Sequence, residues 1–259
     1  MTSVKAKKHL GQHFLKDMEI ASRIAGCLPL DRPSSVLEVG PGTGVLTQFL
    51  LQNPLAELTA VELDVESVHY LRKNYPQLKL LHADFLGLDL KSLFPDTFYI
   101  IGNFPYNISS QIFFKLLEYR DSVPCLVGML QKELAERIAA PAGSRTYGIL
   151  SVLLQAFYTV DYLFTVHEDV FDPPPKVKSA VVRLTRNDVH DIGCDEKLFK
   201  TVVKTAFNQR RKTLRNSLKT LVPKENSMYA DSLFDKRPEQ LDVPAFVDLT
   251  KRVAEQLNH

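Results

Sequence analysis

From residue 20 onward the chain alternates short apolar runs with segments whose apolar residues return every three or four positions. The runs at 35–39, 58–63, 79–82, 98–102 and 125–130 are rich in Val, Ile, Leu and Phe, which predicts strands covered on both faces. The segments between them, 45–52, 67–74, 110–118, 133–139 and 148–157, carry the helical period. Strands and helices in alternation predict a mostly parallel sheet with helices on both sides, the α/β class. Two further runs, 162–167 and 180–184, flank a Pro-rich stretch and are expected to close the sheet as a hairpin.

After Leu184 the pattern changes. A polar linker at 186–194 leads into segments that read only as helices, which divides the chain into a domain at 1–187 and a small helical domain at 188–259. Within 205–221, Phe207, Leu214, Leu218 and Leu221 share one face of an expected helix. Arg210, Arg211, Lys212, Arg215 and Lys219 make that helix densely basic.

Composition adds exclusions. Apolar residues make up 45% and charged ones 24%, an ordinary globular balance. The longest apolar stretch, 149–157, is about half of the roughly 20 residues a membrane helix needs. The N-terminus has no apolar run behind its lysines, so neither secretion nor membrane insertion is expected. Cys27, Cys125 and Cys194 are too scattered for a disulfide framework or a zinc site, and the seven histidines form no ligand pair. The expectation is a cytoplasmic protein without a metal, and nothing in the sequence demands more than a monomer.

The net charge of +2 hides an asymmetry. Residues 1–16 hold four lysines and no acid, and residues 176–224 hold thirteen basic against four acidic residues. Basic arms on an acidic body suit a nucleic-acid binder, although two solvated charged surfaces would read the same way. Lys7 and Lys8 in the first arm, with Arg210, Arg211, Lys212 and Arg215 in the second, are the candidate RNA contacts.

The strongest local signal is VLEVGPGTGVLT at 36–47, a strand running into Gly40, Gly42 and Gly44 and then a helix. Such a loop lets the backbone approach a ligand at the carboxyl end of a strand. Its spacing is G-x-G-x-G, with Val45 and Leu46 where a dinucleotide loop would next need a small residue. Glu38 lies two residues before the first glycine and would be a poor neighbour for pyrophosphate. Both features favour a nucleoside bearing a cation, S-adenosylmethionine (SAM). Glu62, 22 residues after Gly40, stands where a carboxylate would hold ribose hydroxyls. Asp84 ends the third strand, where a carboxylate would accept from an adenine amino group.

Asn103-Phe104-Pro105-Tyr106 follows the fourth strand at the same edge. An adenine N6 is a weak nucleophile because its lone pair is delocalised into the ring. Two acceptors, the Asn103 side-chain oxygen and the Pro105 carbonyl, would take both N6 hydrogens and favour a tetrahedral nitrogen. Tyr106 would stack on the extruded base. No strong general base is needed, and catalysis would rest on position and electrostatics.

Seven stretches, KKHLGQHFLKD (7–17), VLEVGPGTGVLT, VELD (61–64), HADF (82–85), IGNFPYNISS (101–110), FDPPPKVKSAVVRL (171–184) and AFNQRRKTLRNSL (206–218), occur in that order. Together they resemble the small-subunit rRNA adenine N6-dimethyltransferases. The resemblance implies a Rossmann-like class I SAM-dependent methyltransferase domain with a small α-helical C-terminal domain. It implies transfer of four methyl groups to two adjacent adenosines near the 3′ end of small-subunit rRNA in an assembling particle. By position, it places SAM contacts on His13, Leu15, Gly40, Glu62, Asp84 and Asn103, and a second stacking aromatic on Phe171.

Two positions depart from the family. His13 stands where asparagine is usual, and an imidazole titrates near neutrality whereas an amide does not. Phe104 replaces the usual Leu or Ile, and its larger ring leaves less room for a monomethylated N6. Competing readings are a large-subunit rRNA adenine dimethyltransferase of the macrolide-resistance type, a DNA adenine methyltransferase, an assembly factor acting mainly by binding immature subunits, and a NAD-dependent oxidoreductase.

Overall fold

A computed structural model describes residues 4–257. Seven strands form one sheet: β1 (Ser34–Val39), β2 (Ala56–Glu62), β3 (Lys79–His82), β4 (Phe98–Asn103), β5 (Cys125–Gln131), β6 (Tyr158–Val166) and β7 (Ser179–Arg186). Their order across the sheet is β3-β2-β1-β4-β5-β7-β6. The first five run parallel, and β7 pairs antiparallel with β5. The apolar runs are most continuous where both faces are covered: in β5 every residue from Cys125 to Leu130 is buried, whereas the edge strand β3 has no fully buried residue.

The chain passes from β1 outward to β2 and β3, then returns to the other side of β1 as β4. At such a reversal the helices leave on opposite faces and a crevice opens at the strands' carboxyl ends. Val39, Glu62, His82 and Asn103 are the last residues of four neighbouring strands, so the candidate chemistry gathers at one edge.

The stretch between β6 and β7 is more than a hairpin loop. Phe171–Asp172 pairs antiparallel with Phe14–Leu15, which fastens the N-terminal arm to it. The long helix expected over 205–221 is also broken. The helix Glu196–Asn208 ends in a turn at Gln209 (φ −121°, ψ 53°), and Thr213 is extended before a single turn at Leu214–Ser217. The Lys212 N–H closes that turn on the Gln209 carbonyl, and the Leu214 N–H is taken by the Lys236 carbonyl. Three consecutive cations after Gln209 are therefore carried on a turn, where they spread apart.

Contacts divide the chain into two compact units. One runs to Ala135 and adds Val160–Arg186; the other comprises Glu136–Thr159 and the chain from Asn187. The segment 136–159, placed by sequence with the first domain, thus packs with the helical unit. In that unit the Phe207 and Phe246 rings stack at 5.8 Å, and Phe199, Val202, Leu249 and Val253 are buried. No helix among the described residues is long and apolar enough to cross a membrane.

Phe104 shows how the sheet accommodates its departure from the family. The ring is 1% exposed and meets Phe113 edge-on at 6.4 Å. It lies against Gly102 and Gly128, which are paired across β4 and β5. A Cβ at residue 128 would sit 2.3 Å from Phe104 Cε2. The ring is thus housed in space that two missing side chains provide. Gly128→Ala is expected to cost about 1–3 kcal/mol by overpacking. Phe104→Leu in the same chain should restore most of that loss. Denaturant unfolding of the two single variants and the double variant checks this, and strictly additive losses would refute the fit.

Candidate functional site

The strand ends enclose an open cavity with about 1080 Å³ of space, counting its mouth. It is lined by His13 and Leu15 of the arm, Glu38, Gly40 and Gly42 of the first strand and its loop, Glu62, Asp84, and Asn103 to Tyr106. Eight of the nine residues singled out by sequence for cofactor or catalysis line this one cavity. Phe171 does not: it is 1% exposed and packed in the core with Leu15, Val166 and Val181.

The glycine loop has its shape because Gly40, Gly42 and Gly44 all have positive φ, between 58° and 83°. Gly42 has a second constraint, since a Cβ there would lie 2.9 Å from the Phe14 ring. Its N–H donates to Glu62 Oε2 at 3.0 Å, and the Asp64 N–H donates to Oε1 at 2.8 Å. Glu62 thus fixes the loop and keeps one lone pair on each oxygen for a ligand. Burial pushes its carboxyl above the usual range despite these donors.

Asp64, which sequence reading passed over, caps the helix Val65–Asn74 by accepting from the Glu66 and Ser67 N–H groups. Burial works to raise its carboxyl, but the Lys7 ammonium and the Ser67 donors outweigh this and hold it low. Lys7 bonds Asp64 directly and reaches Glu66 at 3.2 Å. Its charge therefore anchors the arm, while the neighbouring Lys8 is exposed. The legible signal was an Asp at the N-cap position of an acidic helix start.

The arm also orients the Asn103 amide. Asn103 Nδ2 donates to the His13 carbonyl at 2.9 Å, which leaves Oδ1 as the free acceptor. The His13 ring lies 5.2 Å from the Tyr106 ring, and its Nδ1 is 2.7 Å from the Pro173 carbonyl. A carbonyl only accepts, so Nδ1 carries the hydrogen. Tyr106 OH and Ser179 Oγ share a hydrogen bond of 2.6 Å. The Pro105 carbonyl already accepts from Ile108 N–H (3.2 Å) and Ser109 Oγ (2.9 Å). Among the described residues the Phe104 carbonyl accepts no hydrogen bond, so it is an unspent backbone acceptor in the tetrapeptide. Asp84 is exposed and uses Oδ1 to cap the next turn through the Leu86 N–H.

In the helical unit, Arg211 and Lys212 are exposed and form no ion pair among the described residues. Arg210 donates to the Arg145 carbonyl, and Arg215 pairs with Asp235 at 2.6 Å. The first two offer whole charges to a polyanion, and the other two are partly committed within the protein.

Glu38 is 1% exposed, and Thr47 Oγ1 donates to its Oε2 at 2.7 Å. Its Oε1 is buried without a partner. Desolvation, assisted by Glu62, pushes this carboxyl up to about 8. The folded protein thus keeps a proton that the unfolded chain loses above its ordinary value, so stability falls as pH rises from about 5 to about 8. Without ligand, Glu38→Gln is expected to be the more stable form at pH 8. Its advantage should grow with pH by up to about 1.4 kcal/mol per unit. Melting curves across pH 5–9 test this, and a gap independent of pH would contradict it.

Comparison with known proteins gives one answer. The family model described as ribosomal RNA adenine dimethylase matches residues 3–254. Ribosomal RNA small subunit methyltransferase A of Parabacteroides distasonis is 66% identical, with 96% of this chain and 94% of that protein covered. The protein of the same name from Phocaeicola vulgatus is 59% identical, covering 100% and 93%. A dimethyladenosine transferase from Plasmodium falciparum superposes with a TM-score of 0.79 at 27% identity, over 94% of this chain and 98% of that one. The 23S rRNA methyltransferase ErmE superposes at 0.67, also at 27% identity, over 95% and 100%. With its sheet order, glycine loop and tetrapeptide in one cavity, this chain belongs to the ribosomal RNA adenine dimethylase family.

Proposed function

We propose that this protein dimethylates N6 of two adjacent adenosines near the 3′ end of small-subunit rRNA, in the assembling particle in the cytoplasm, with SAM as the methyl donor. The observation that carries the chemistry is the orientation of Asn103: its amide nitrogen is spent on the His13 carbonyl, so its oxygen faces substrate as an acceptor. The small-subunit assignment is supported by relatives 57–66% identical that are named ribosomal RNA small subunit methyltransferase A, which this chain matches nearly end to end.

The residues present fit SAM. Glu38 Oε1, buried and unpartnered, is the acceptor that a cationic ligand group would satisfy. The left-handed glycine turn presents backbone rather than side chains, and Glu62 retains lone pairs for hydroxyls. Asp84 keeps one oxygen for an amino group. SAM supplies an activated methyl on a sulfonium centre.

The chain's own groups then do the rest. Asn103 Oδ1 and the Phe104 carbonyl take the two N6 hydrogens and localise the nitrogen lone pair. Tyr106, held through its hydroxyl by Ser179 and flanked by the His13 ring, offers a face for the base. The proton lost after transfer comes from a cationic nitrogen acidic enough to give it to water. Arg211, Lys212 and Lys8 are proposed to hold RNA phosphates, with affinity that falls as salt rises. Phe171 would have to leave the core to stack on a base, so the proposal does not use it.

The test supplies methyl-labelled SAM to small subunits from cells lacking this dimethylation and, separately, to protein-free large-subunit rRNA. Digested RNA is expected to show N6,N6-dimethyladenosine in the first sample only, and Asn103→Ala should lower it by about 10²-fold or more. Label confined to the large-subunit RNA would assign the chain to the resistance-type enzymes. SAM binding with no label in either sample would favour the assembly factor. In calorimetry, Glu38→Gln should bind SAM at least about 10-fold more weakly, as loss of a hydrogen bond to a charged ligand group costs roughly 1.5–3 kcal/mol. Unchanged affinity would remove Glu38 from the cofactor site.

A further inference from the structure

Behind the cavity wall lies a buried cation that the mechanism above does not use. Lys115, on the helix Ser109–Glu118, is 7% exposed, and it is the one buried lysine or arginine among the described residues. Its ammonium forms no salt bridge there. Instead Nζ donates to the Leu86 carbonyl at 2.9 Å and the Leu88 carbonyl at 2.5 Å. It lies 5.5 Å from the centre of the Phe85 ring and 5.6 Å from that of Tyr119. One turn further along the same helix, Tyr119 accepts from the Leu90 N–H and donates to Asp89 at 3.3 Å each.

Burying an ammonium without a carboxylate partner is costly, and desolvation indeed lowers its proton affinity against the pull of Glu118, Asp84 and Asp89. An apolar side chain would fill the same space at less cost, so packing alone does not account for a lysine. What the ammonium does supply is two hydrogen bonds to alternate carbonyls of one short segment. That segment is the turn Phe85–Gly87 and the residue after it. The same turn is capped by Asp84, and Ala83 to Leu86 line the cavity. A carboxylate aimed by the turn it caps can be no better placed than the turn itself.

We propose that Lys115 is a positioning residue for the adenine end of the cofactor, clamping the 84–88 turn so that Asp84 accepts from the exocyclic amine. The proposal rests on the reading of this cavity as a SAM site. Lys115 touches no ligand and acts through the backbone of Leu86 and Leu88. Its consequence is selectivity for adenine over a purine whose 6-position bears an oxygen, which a carboxylate repels.

The experiment compares the affinities of S-adenosylhomocysteine and S-inosylhomocysteine for the full chain and its variants. The unaltered protein is expected to prefer the adenosyl compound at least 10-fold. Lys115→Met should weaken the adenosyl compound about 10-fold and the inosyl compound little, so that the preference collapses. Lys115→Arg, which can still donate to both carbonyls, should restore most of it. Lys115→Gln keeps an uncharged donor on a shorter side chain, should fall between, and serves if the Met variant does not fold. The KM for SAM should rise in the Met or Gln variant, with kcat at saturating SAM within about 2-fold.

An equal loss for both compounds, or none for either, would overturn the role of Lys115. Asp84→Asn separates the two levels. If it leaves the preference intact, the adenine subsite itself is misplaced. If it abolishes the preference while Lys115→Met and Lys115→Gln do not, only the clamp fails.

Discussion

The Glu62 carboxylate ties the site together. One oxygen holds the Gly42 N–H and the other holds the Asp64 N–H, so a single side chain at the end of β2 fixes the glycine loop after β1 and the start of the next helix. Asp64 extends the chain of contacts by capping that helix and by holding Lys7 of the N-terminal arm. The arm in turn offers the His13 carbonyl that orients Asn103. Glycine loop, arm and the Asn103 amide are therefore linked through one buried acid and its neighbour. The cost is a carboxyl kept from water, and Glu38 on the adjacent strand adds a second. Two buried acids side by side are tolerable in a cavity built to receive a cation and hydroxyl groups.

The arm is a structural part of the site rather than a basic tail. Phe14–Leu15 pairs with Phe171–Asp172, the Phe14 ring fills the space over Gly42, and Lys7 is paired with acids. This explains why a segment with so little apolar character is ordered against the sheet. It also explains why its positive charge is less available to RNA than a count of lysines suggests. The same discount applies to Arg210 and Arg215, which bond within the helical unit, whereas Arg211 and Lys212 are exposed and form no ion pair among the described residues.

Catalysis by such a site asks little of proton transfer and much of placement. The proposed acceptors are an amide whose orientation is dictated by a hydrogen bond from its other end and a backbone carbonyl just beyond a strand terminus. Behind Asp84, the role proposed for Lys115 follows the same logic: a helix side chain holds a turn, and the turn holds a carboxylate. The Phe104 ring occupies space left by Gly102 and Gly128.

Much of this was written in the sequence by itself. Continuous apolar runs gave the five parallel strands, because a strand buried on both faces has no polar alternative. The glycine spacing, with Glu38, Glu62 and Asp84 at or near strand ends, marked residues that line one cavity, because topology carries every parallel strand end to one edge. The contacts that tertiary structure alone decided are those between residues distant in the chain. No periodicity announces that Lys7 meets Asp64, that Asn103 spends its amide nitrogen on His13, or that the Pro105 carbonyl is already occupied while that of Phe104 is free. Phe171 could be matched to a motif yet lies in the core, and the basic segment after Asn208 continued the helical period yet forms a turn. Local pattern reports which face a residue prefers; which partner satisfies its polar atoms is settled only when the folded chain brings donors and acceptors within reach.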